Sequence, residues 1–220
     1  GYQALAAEDT GSYNTAIGPY ALNDLNYDGN GLNVAVGSYC ADALVTGTSN
    51  VAVGHSALGQ ATTAVQNIAV GQEAMGDITT NAVTACVAVG HEAFKGSGST
   101  TTGANGTVAI GYQAGAVITT GQENVAIGYA ALDACPDISY NTAVGTSALS
   151  ALNAGDGFCT AFGRQAGGSN TSGGNNTLIG PSTGFYNQTG SNNTFVGKYA
   201  GAGTTTANNN VYSNWTFCKT

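Results

Sequence analysis

The chain has 220 residues, 34 of them glycine, only 7% charged, with a formal charge of −8. Large aliphatics are too few for a globular core of Leu and Phe, although Val, Ile and Ala are plentiful. The only cations are Lys95, Arg164, Lys198 and Lys219, spread along the chain, which excludes nucleic acid and anionic membrane surfaces as partners because both need clustered Lys and Arg.

In chain order, a pentapeptide of the form Asn-Thr/Val-Ala-Ile/Val-Gly returns with its glycine at Gly18, Gly37, Gly54, Gly71, Gly90, Gly111, Gly128, Gly145, Gly163, Gly180 and Gly197. Most steps are 17 residues and the longest is 21. Gly1 lies one step before Gly18, and Asn210-Val211-Tyr212-Ser213 is a decayed copy one step after Gly197. A fixed period of this length predicts a solenoid, in which one turn of chain stacks on the next. The expected fold is all-β, a parallel β-solenoid with rungs of about 17 residues over 1–209, followed by a degenerate rung and a cap or exit segment over 210–220. Eleven intervals between twelve glycines give a rod of roughly 52 Å at about 4.8 Å per rung. The chain opens in mid-repeat without an initiator Met, which reads as a piece of a longer protein. No run of 18 apolar residues is present, so this segment is not expected to insert into a membrane.

Counting from the repeat glycine as zero, positions −3 and −1 are Thr, Val, Ile or Phe, and position −2 is nearly always Ala. This period-two alternation predicts a strand. The bulky residues, among them Val34, Val36, Val51, Val53, Ile68, Val70, Val125 and Ile127, are expected inside the turn. The small face, with Ala35, Ala52, Ala69, Ala126 and Ala143, is expected to pack against another copy or against the other strand of the turn. A second short strand is expected after the glycine, where +3 is Ala and +4 is Leu, Met, Phe or Gly. Asn heads the strand in nine copies, from Asn14 to Asn210, and predicts a hydrogen-bonded ladder along the rod. The insertions that stretch the period fall at Asn23 to Gly31, Gly76 to Ala85 and Lys95 to Gly106, all expected on one edge.

Asn50-Val51-Ala52-Val53-Gly54, Asn67-Ile68-Ala69-Val70-Gly71 and Asn124-Val125-Ala126-Ile127-Gly128 resemble the head repeats of YadA-like trimeric autotransporter adhesins. The longer unit Asn-Thr-Ala-Ile-Gly-Tyr-Gln-Ala-Gly/Leu is similar to repeats of bacteriophage tail fibres. The resemblance runs from Gly1 to about Tyr212. It implies a left-handed parallel β-roll, a side-by-side homotrimer and a role in surface attachment. Rungs longer than the adhesin repeat, and five cysteines (Cys40, Cys86, Cys135, Cys159 and Cys218), favour the phage-fibre branch. An odd cysteine count with irregular spacing is no disulfide framework and reads as free thiols.

Chemistry is sparse. Glu73 and Glu92 share position +2 on neighbouring rungs, a spacing that can bridge a cation or leave two solvated carboxylates. No phosphate loop, nucleophile elbow or calcium repeat is found, so no cofactor and no catalysis is expected. Tyr2, Tyr112 and Tyr129 at +1, with Tyr20, Tyr39 and Tyr199 at +2, form an intermittent aromatic edge, read as stacking along the rod or as a surface for sugar rings. Tyr212, Trp215 and Phe217 are expected to cap the last rung. Asn170, Asn187 and Asn214 head glycosylation-type triplets that arise readily in a chain this rich in Asn and Thr.

The expected function is a non-enzymatic attachment fibre on a virion surface; the alternative is the head domain of a bacterial trimeric autotransporter adhesin, or another extracellular filament, on the bacterial outer cell surface. The partners are a second and third copy of the chain and a host glycan or protein receptor. Recognition is expected in the insertions, at Asn26, Tyr27, Asp28, Asp77, Lys95 and Asn105. An ice-binding face is disfavoured because −3 mixes Thr with Val and is expected to point inward. A polysaccharide-cleaving site is disfavoured because only Glu73 and Glu92 approach a carboxylate pair.

Overall fold

Each repeat delivers one strand of three residues, always the triplet at −3 to −1. In a computed structural model that describes residues 1–8, 10–79, 83–97 and 103–213, the strands are β1 (Thr15–Ile17), β2 (Val34–Val36), β3 (Val51–Val53), β4 (Ile68–Val70), β5 (Val87–Val89), β6 (Val108–Ile110), β7 (Val125–Ile127), β8 (Thr142–Val144), β9 (Thr160–Phe162), β10 (Thr177–Ile179), β11 (Thr194–Val196) and β12 (Val211–Ser213). They form one parallel sheet in sequence order. Equal repeat positions pair throughout, as in Val34 with Val51, Ala35 with Ala52 and Val36 with Val53. The decayed last copy keeps its strand, with Val211 opposite Thr194. The protein is thus an all-β solenoid of about 17 residues per rung.

The repeat glycine closes each strand. Gly54 has φ +134°, and a Cβ there would lie 2.5 Å from the Gly71 carbonyl oxygen of the next rung. Both the backbone angle and the stacking therefore exclude a side chain at this corner.

The expected second strand does not form. The residues after the glycine are turns, with left-handed backbone at +2 and +4, as at Ser56 (φ 50°) and Leu58 (φ 53°). Two consecutive side chains, Ala57 and Leu58, are both fully buried. Alternation is not what buries them; the change of backbone hand between neighbours is. Rung-to-rung bonding continues through the turn, since Leu58 N–H donates to the Ala74 carbonyl and Ser56 N–H to the Ser38 carbonyl.

The two faces of the strand are the reverse of the expectation. Ala35, Ala52, Ala69, Ala126 and Ala143 are 0–1% exposed and line the core. Val34, Val51 and Ile68 are exposed, and Val36, Val53, Val70, Val125 and Ile127 are half-buried on the outside. The reason is volume. The interior is already filled from the opposite side by +4 residues such as Leu22, Met75 and Phe94 and by +7 residues such as Leu25, Leu44 and Ile118, all fully buried. Only a methyl group fits between them and the sheet. The last rungs demonstrate this by exchange: where −2 becomes Leu178 or Phe195, +4 becomes Gly184 or Gly201. A Cβ on Gly201 would lie 2.5 Å from Phe195 Cδ2.

The Asn ladder is present as expected. Asn50 Nδ2 donates to Asn33 Oδ1 at 3.0 Å and to the Ala64 carbonyl at 2.7 Å. Asn50 Oδ1 in turn accepts from Asn67 N–H and Nδ2. The pattern repeats from Asn124 to Asn141 and from Asn176 through Asn193 to Asn210. These side chains satisfy backbone groups that the turn leaves unpaired inside the rod.

Candidate functional site

The outer strand face presents apolar side chains to solvent. Its two columns, −3 and −1, run along the rungs, exposed or half-exposed among the described residues. Ile17, Val34, Val51, Ile68, Ile110, Phe162, Ile179 and Val196 are each more than a third exposed. Leu32, Tyr140 and Phe158 at −5 are exposed as well, with the Tyr140 and Phe158 rings stacked at 5.1 Å. Apolar side chains exposed on this many successive rungs mark an interaction surface. Because −3 points outward, Thr142, Thr160, Thr177 and Thr194 form a surface column, which corrects one ground for setting ice binding aside. The other ground stands: the adjacent column is Val144, Phe162, Ile179 and Val196, and no Thr-x-Thr face results.

The three insertions do share an edge. Pairing is in phase on both sides of each, with Asn26 N–H on the Val45 carbonyl before the first and Gly31 N–H on the Ser12 carbonyl after it. The others are bracketed alike, by Asp77 to Lys95 and Ala85 to Val65, and by Gly96 to Ala116 and Gly106 to Thr84. Residues 80–82 and 98–102 of the second and third insertions lie outside the described residues. Of the nominated recognition residues, Asn26 and Asp28 are exposed, and Asp28 accepts a 2.7 Å bond from the Thr10 hydroxyl. Tyr27 instead leans on the core. Asn105 Oδ1 is used internally, accepting from Thr84 N–H at 2.8 Å.

Asp77 and Lys95 belong with the carboxylate pair. Glu73 and Glu92 are brought together as their shared position requires, and Lys95 Nζ lies between them, 2.6 Å from Glu73 and 3.1 Å from Glu92. Asp77 is 3.8 Å from the same ammonium, and Gln113 Nε2 donates to Glu92 at 2.6 Å. The chain's own lysine thus occupies the place a bridging ion would take. Among the described residues no group of three His, Cys, Asp or Glu could hold a metal. The hydrogen bond from Lys95 holds Glu73 below its ordinary pKa, and those from Gln113 and then Lys95 do the same for Glu92. With folded pKa values depressed, the cluster's contribution is present above the unfolded carboxylate value and is lost as pH falls through the folded ones. Lys95→Met is expected to raise both carboxylate pKa values, as followed by carboxylate NMR titration. Because the pair is solvated, the change in stability at neutral pH is expected to stay below about 1 kcal/mol. Unchanged titration curves would refute the assignment.

A groove of about 440 Å³ beside this cluster is lined by Tyr39, Asp42, Glu73 and Asp77, among others. Burial pushes the Asp42 carboxyl above its usual range. The aromatic edge is a stacked ladder where residues recur: Tyr20 on Tyr39 at 4.8 Å, His91 on Tyr112 at 5.4 Å, Tyr112 on Tyr129 at 5.2 Å.

Cys40, Cys86, Cys135 and Cys159 are free and buried, and Cys218, with Trp215 and Phe217, lies outside the described residues. Cys159 stands in the Asn column and its thiol reaches the Gly173 carbonyl at 3.2 Å, the carbonyl that an Asn there would bond. Burial pushes Cys40 and Cys135 up to about 12 and Cys86 to about 11. Thiolate, the reactive form, is therefore scarce at neutral pH. Iodoacetamide is expected to leave all four unmodified in the native chain and to label them after denaturation, as read by peptide-resolved mass spectrometry. Labelling of any of the four under native conditions would contradict this burial. Asn170 and Asn187 are also buried, with their amides bonded to Gly173 and Gly190, so neither is a glycan acceptor in the folded rod.

The sequence does not reveal the outward direction of the aliphatic columns or the +7 core position. The latter does recur seven residues after the glycine, but Ala61, Cys135 and Asn170 interrupt its Leu and Ile, so it resembles loop. No family model, no curated protein and no solved structure matches the chain.

Proposed function

We propose that this chain is a non-enzymatic segment of a viral attachment fibre, in which three left-handed rolls lie parallel and side by side. The observation that supports it is the outward −1 column of Val, Ile and Phe, exposed or half-exposed from Ile17 to Val196, with further Val and Ile beside it at −3 in β2 to β7. One thin rod buries little apolar surface for its length. A rotationally symmetric trimer covers that face on all three copies and closes, so association stops at three. The trimer contact is therefore assigned to the Val/Ile columns, not to Ala35, Ala52, Ala69, Ala126 and Ala143, which lie in the core. The rungs repeat and carry little information, whereas the insertions differ in length and sequence and share one edge, which suits them to carry recognition. Many copies on one particle add weak contacts by avidity.

Light scattering tests assembly: three chains per particle are expected, falling to one in Val53→Lys/Val70→Lys, whose side chains face outward. A monomeric parent chain refutes the trimer. Attachment is tested by trimming each insertion to the 17-residue rung. If all three trimmed forms assemble and attach to host cells as the parent does, the segment is a spacer and recognition lies elsewhere.

A further inference from the structure

Charge is not evenly distributed along the rod. Residues 157–220 contain Arg164, Lys198 and Lys219 and no Asp or Glu, a balance of +3. Residues 1–156 contain all twelve acids and one lysine, a balance of −11, which together make the −8 of the whole. The insertions that carry the attachment reading lie in the acidic part.

In the acid-free part, the turns after Gly163, Gly180 and Gly197 enclose a pocket of about 240 Å³ lined by Arg164, Gln165, Ser182, Phe185, Tyr186, Tyr199 and Ala202. Its construction follows from the repeat. Gln165, Ser182 and Tyr199 are the +2 residues of three successive rungs, each in left-handed backbone (φ 56°, 54° and 61°), so their side chains come from one column. Among the described residues, the side chains of Arg164, Gln165 and Ser182 make no hydrogen bond and no ion pair. Tyr186 and Tyr199 are 56% and 41% exposed, and Phe185 meets Tyr186 edge-on at 4.8 Å. Lys198 Nζ stands 5.0 Å from the centre of the Tyr199 ring, a second cation at the rim.

We propose that this pocket binds a carboxylate-bearing pyranose, a uronic or sialic acid unit of an acidic glycan. Three requirements of such a ligand are met together. A sugar ring presents an apolar face of C–H groups, and exposed tyrosines offer flat rings with a polar edge to receive it. Its hydroxyls need donors and acceptors, which the Gln165 amide and Ser182 hydroxyl supply. Its carboxylate needs a guanidinium, the side chain whose fork matches it with two parallel bonds. No acidic side chain in this part of the sequence competes for Arg164. The volume falls below the roughly 300–1,000 Å³ of sites for drug-sized ligands, which matches one sugar unit. The acid-lined groove at Asp42, Glu73 and Asp77 repels the same ligand, so binding is confined to one end of the rod.

The site rests on the attachment reading only for its biological role, and binding is tested on the 220-residue chain itself. The probes are trigalacturonic acid, 3′-sialyllactose and, as the neutral control, lactose, titrated by calorimetry and by NMR. The expected result is that one acidic probe or both bind and lactose binds at least about tenfold more weakly, the measure of one charge-assisted bond. Whichever acidic probe binds identifies the source. Arg164→Gln is expected to lower that affinity by about tenfold or more, and Tyr186→Ala by several-fold. Both positions are exposed, so a circular dichroism spectrum like the parent's is expected to show the rod intact. The proposal is overturned if neither acidic probe binds, if lactose binds equally, or if Arg164→Gln binds as the parent does. That failure leaves the attachment reading standing on its insertions. Conversely, a chain that binds the sugar but forms no trimer refutes the trimeric fibre and keeps the site.

Discussion

Asn50→Ala is expected to destabilise the rod by about 3–5 kcal/mol. The side chain is 1% exposed and serves two rungs at once. Its removal leaves the Ala64 carbonyl and the Asn67 N–H without partners in a dry interior. Each orphaned backbone group costs about 1–3 kcal/mol, and a small cavity adds to that. The effect on hydrogen exchange should be local, centred on β3 and β4, because each rung touches only its neighbours. Asn50→Cys supplies the control. Cys159 already stands in this column, with its N–H on Asn141 Oδ1 and its thiol on the Gly173 carbonyl. Cysteine at 50 is therefore expected to lose clearly less than alanine in urea unfolding. Equal losses for the two variants would show that the hydrogen bonds to the backbone are not what the column contributes.

Phe195→Ala is expected to cost about 3–5 kcal/mol, the usual range for emptying a fully buried aromatic site. Tyr212 stacks on this ring at 5.1 Å, so the last rung is expected to loosen with it. Glycine at 201 makes the experiment decisive. Gly201 alone replaced by Leu drives a side chain into the Phe195 ring and is expected to destabilise as well. The double variant Phe195→Ala/Gly201→Leu restores the Ala-and-Leu pairing of earlier rungs, where Leu22, Leu58 and Leu149 hold the same left-handed backbone at φ 49–53°. It is expected to be more stable than the sum of the two single losses by about 1–3 kcal/mol. Strict additivity in a double-mutant cycle would show that −2 and +4 do not share one space.

The repeat made the architecture legible because a solenoid needs only a period and a three-residue strand. The strand triplets, the glycine corners, the Asn ladder, the approach of Glu73 to Glu92 and the common edge of the insertions all follow from residues that recur in phase. Which face of the strand is inside does not follow. Alternation separates Val51 and Val53 from Ala52, but inside is decided by what fills the rod from the far side, and Leu58, Met75 and Leu44 stand elsewhere in the rung. The turn at +2 to +4 was hidden for another reason. Left-handed backbone at Tyr39 or Glu73 carries no signal in side-chain type, since glycine is not required where rung-to-rung bonds hold the angle. Lys95 escaped notice as the partner of Glu73 because it belongs to the next rung, and sequence distance conceals that.

All the amides of the Asn ladder point one way. The later rung donates, through both Nδ2 and N–H, to the Oδ1 of the earlier one. At the amino-terminal end the unused donor of Asn14 is met by the Glu8 carboxylate, at 3.2 Å. The two ends of the column are therefore chemically unlike, one a donor closed by an acid, the other the Asn210 amide oxygen, which faces the Tyr212 hydroxyl at 3.5 Å. A ribosome delivers the chain in the same direction, so each finished turn that carries this Asn already displays the acceptor that the next turn must find. Stacking in the direction of synthesis is therefore expected, each Asn-bearing turn serving as a template for the one that follows it.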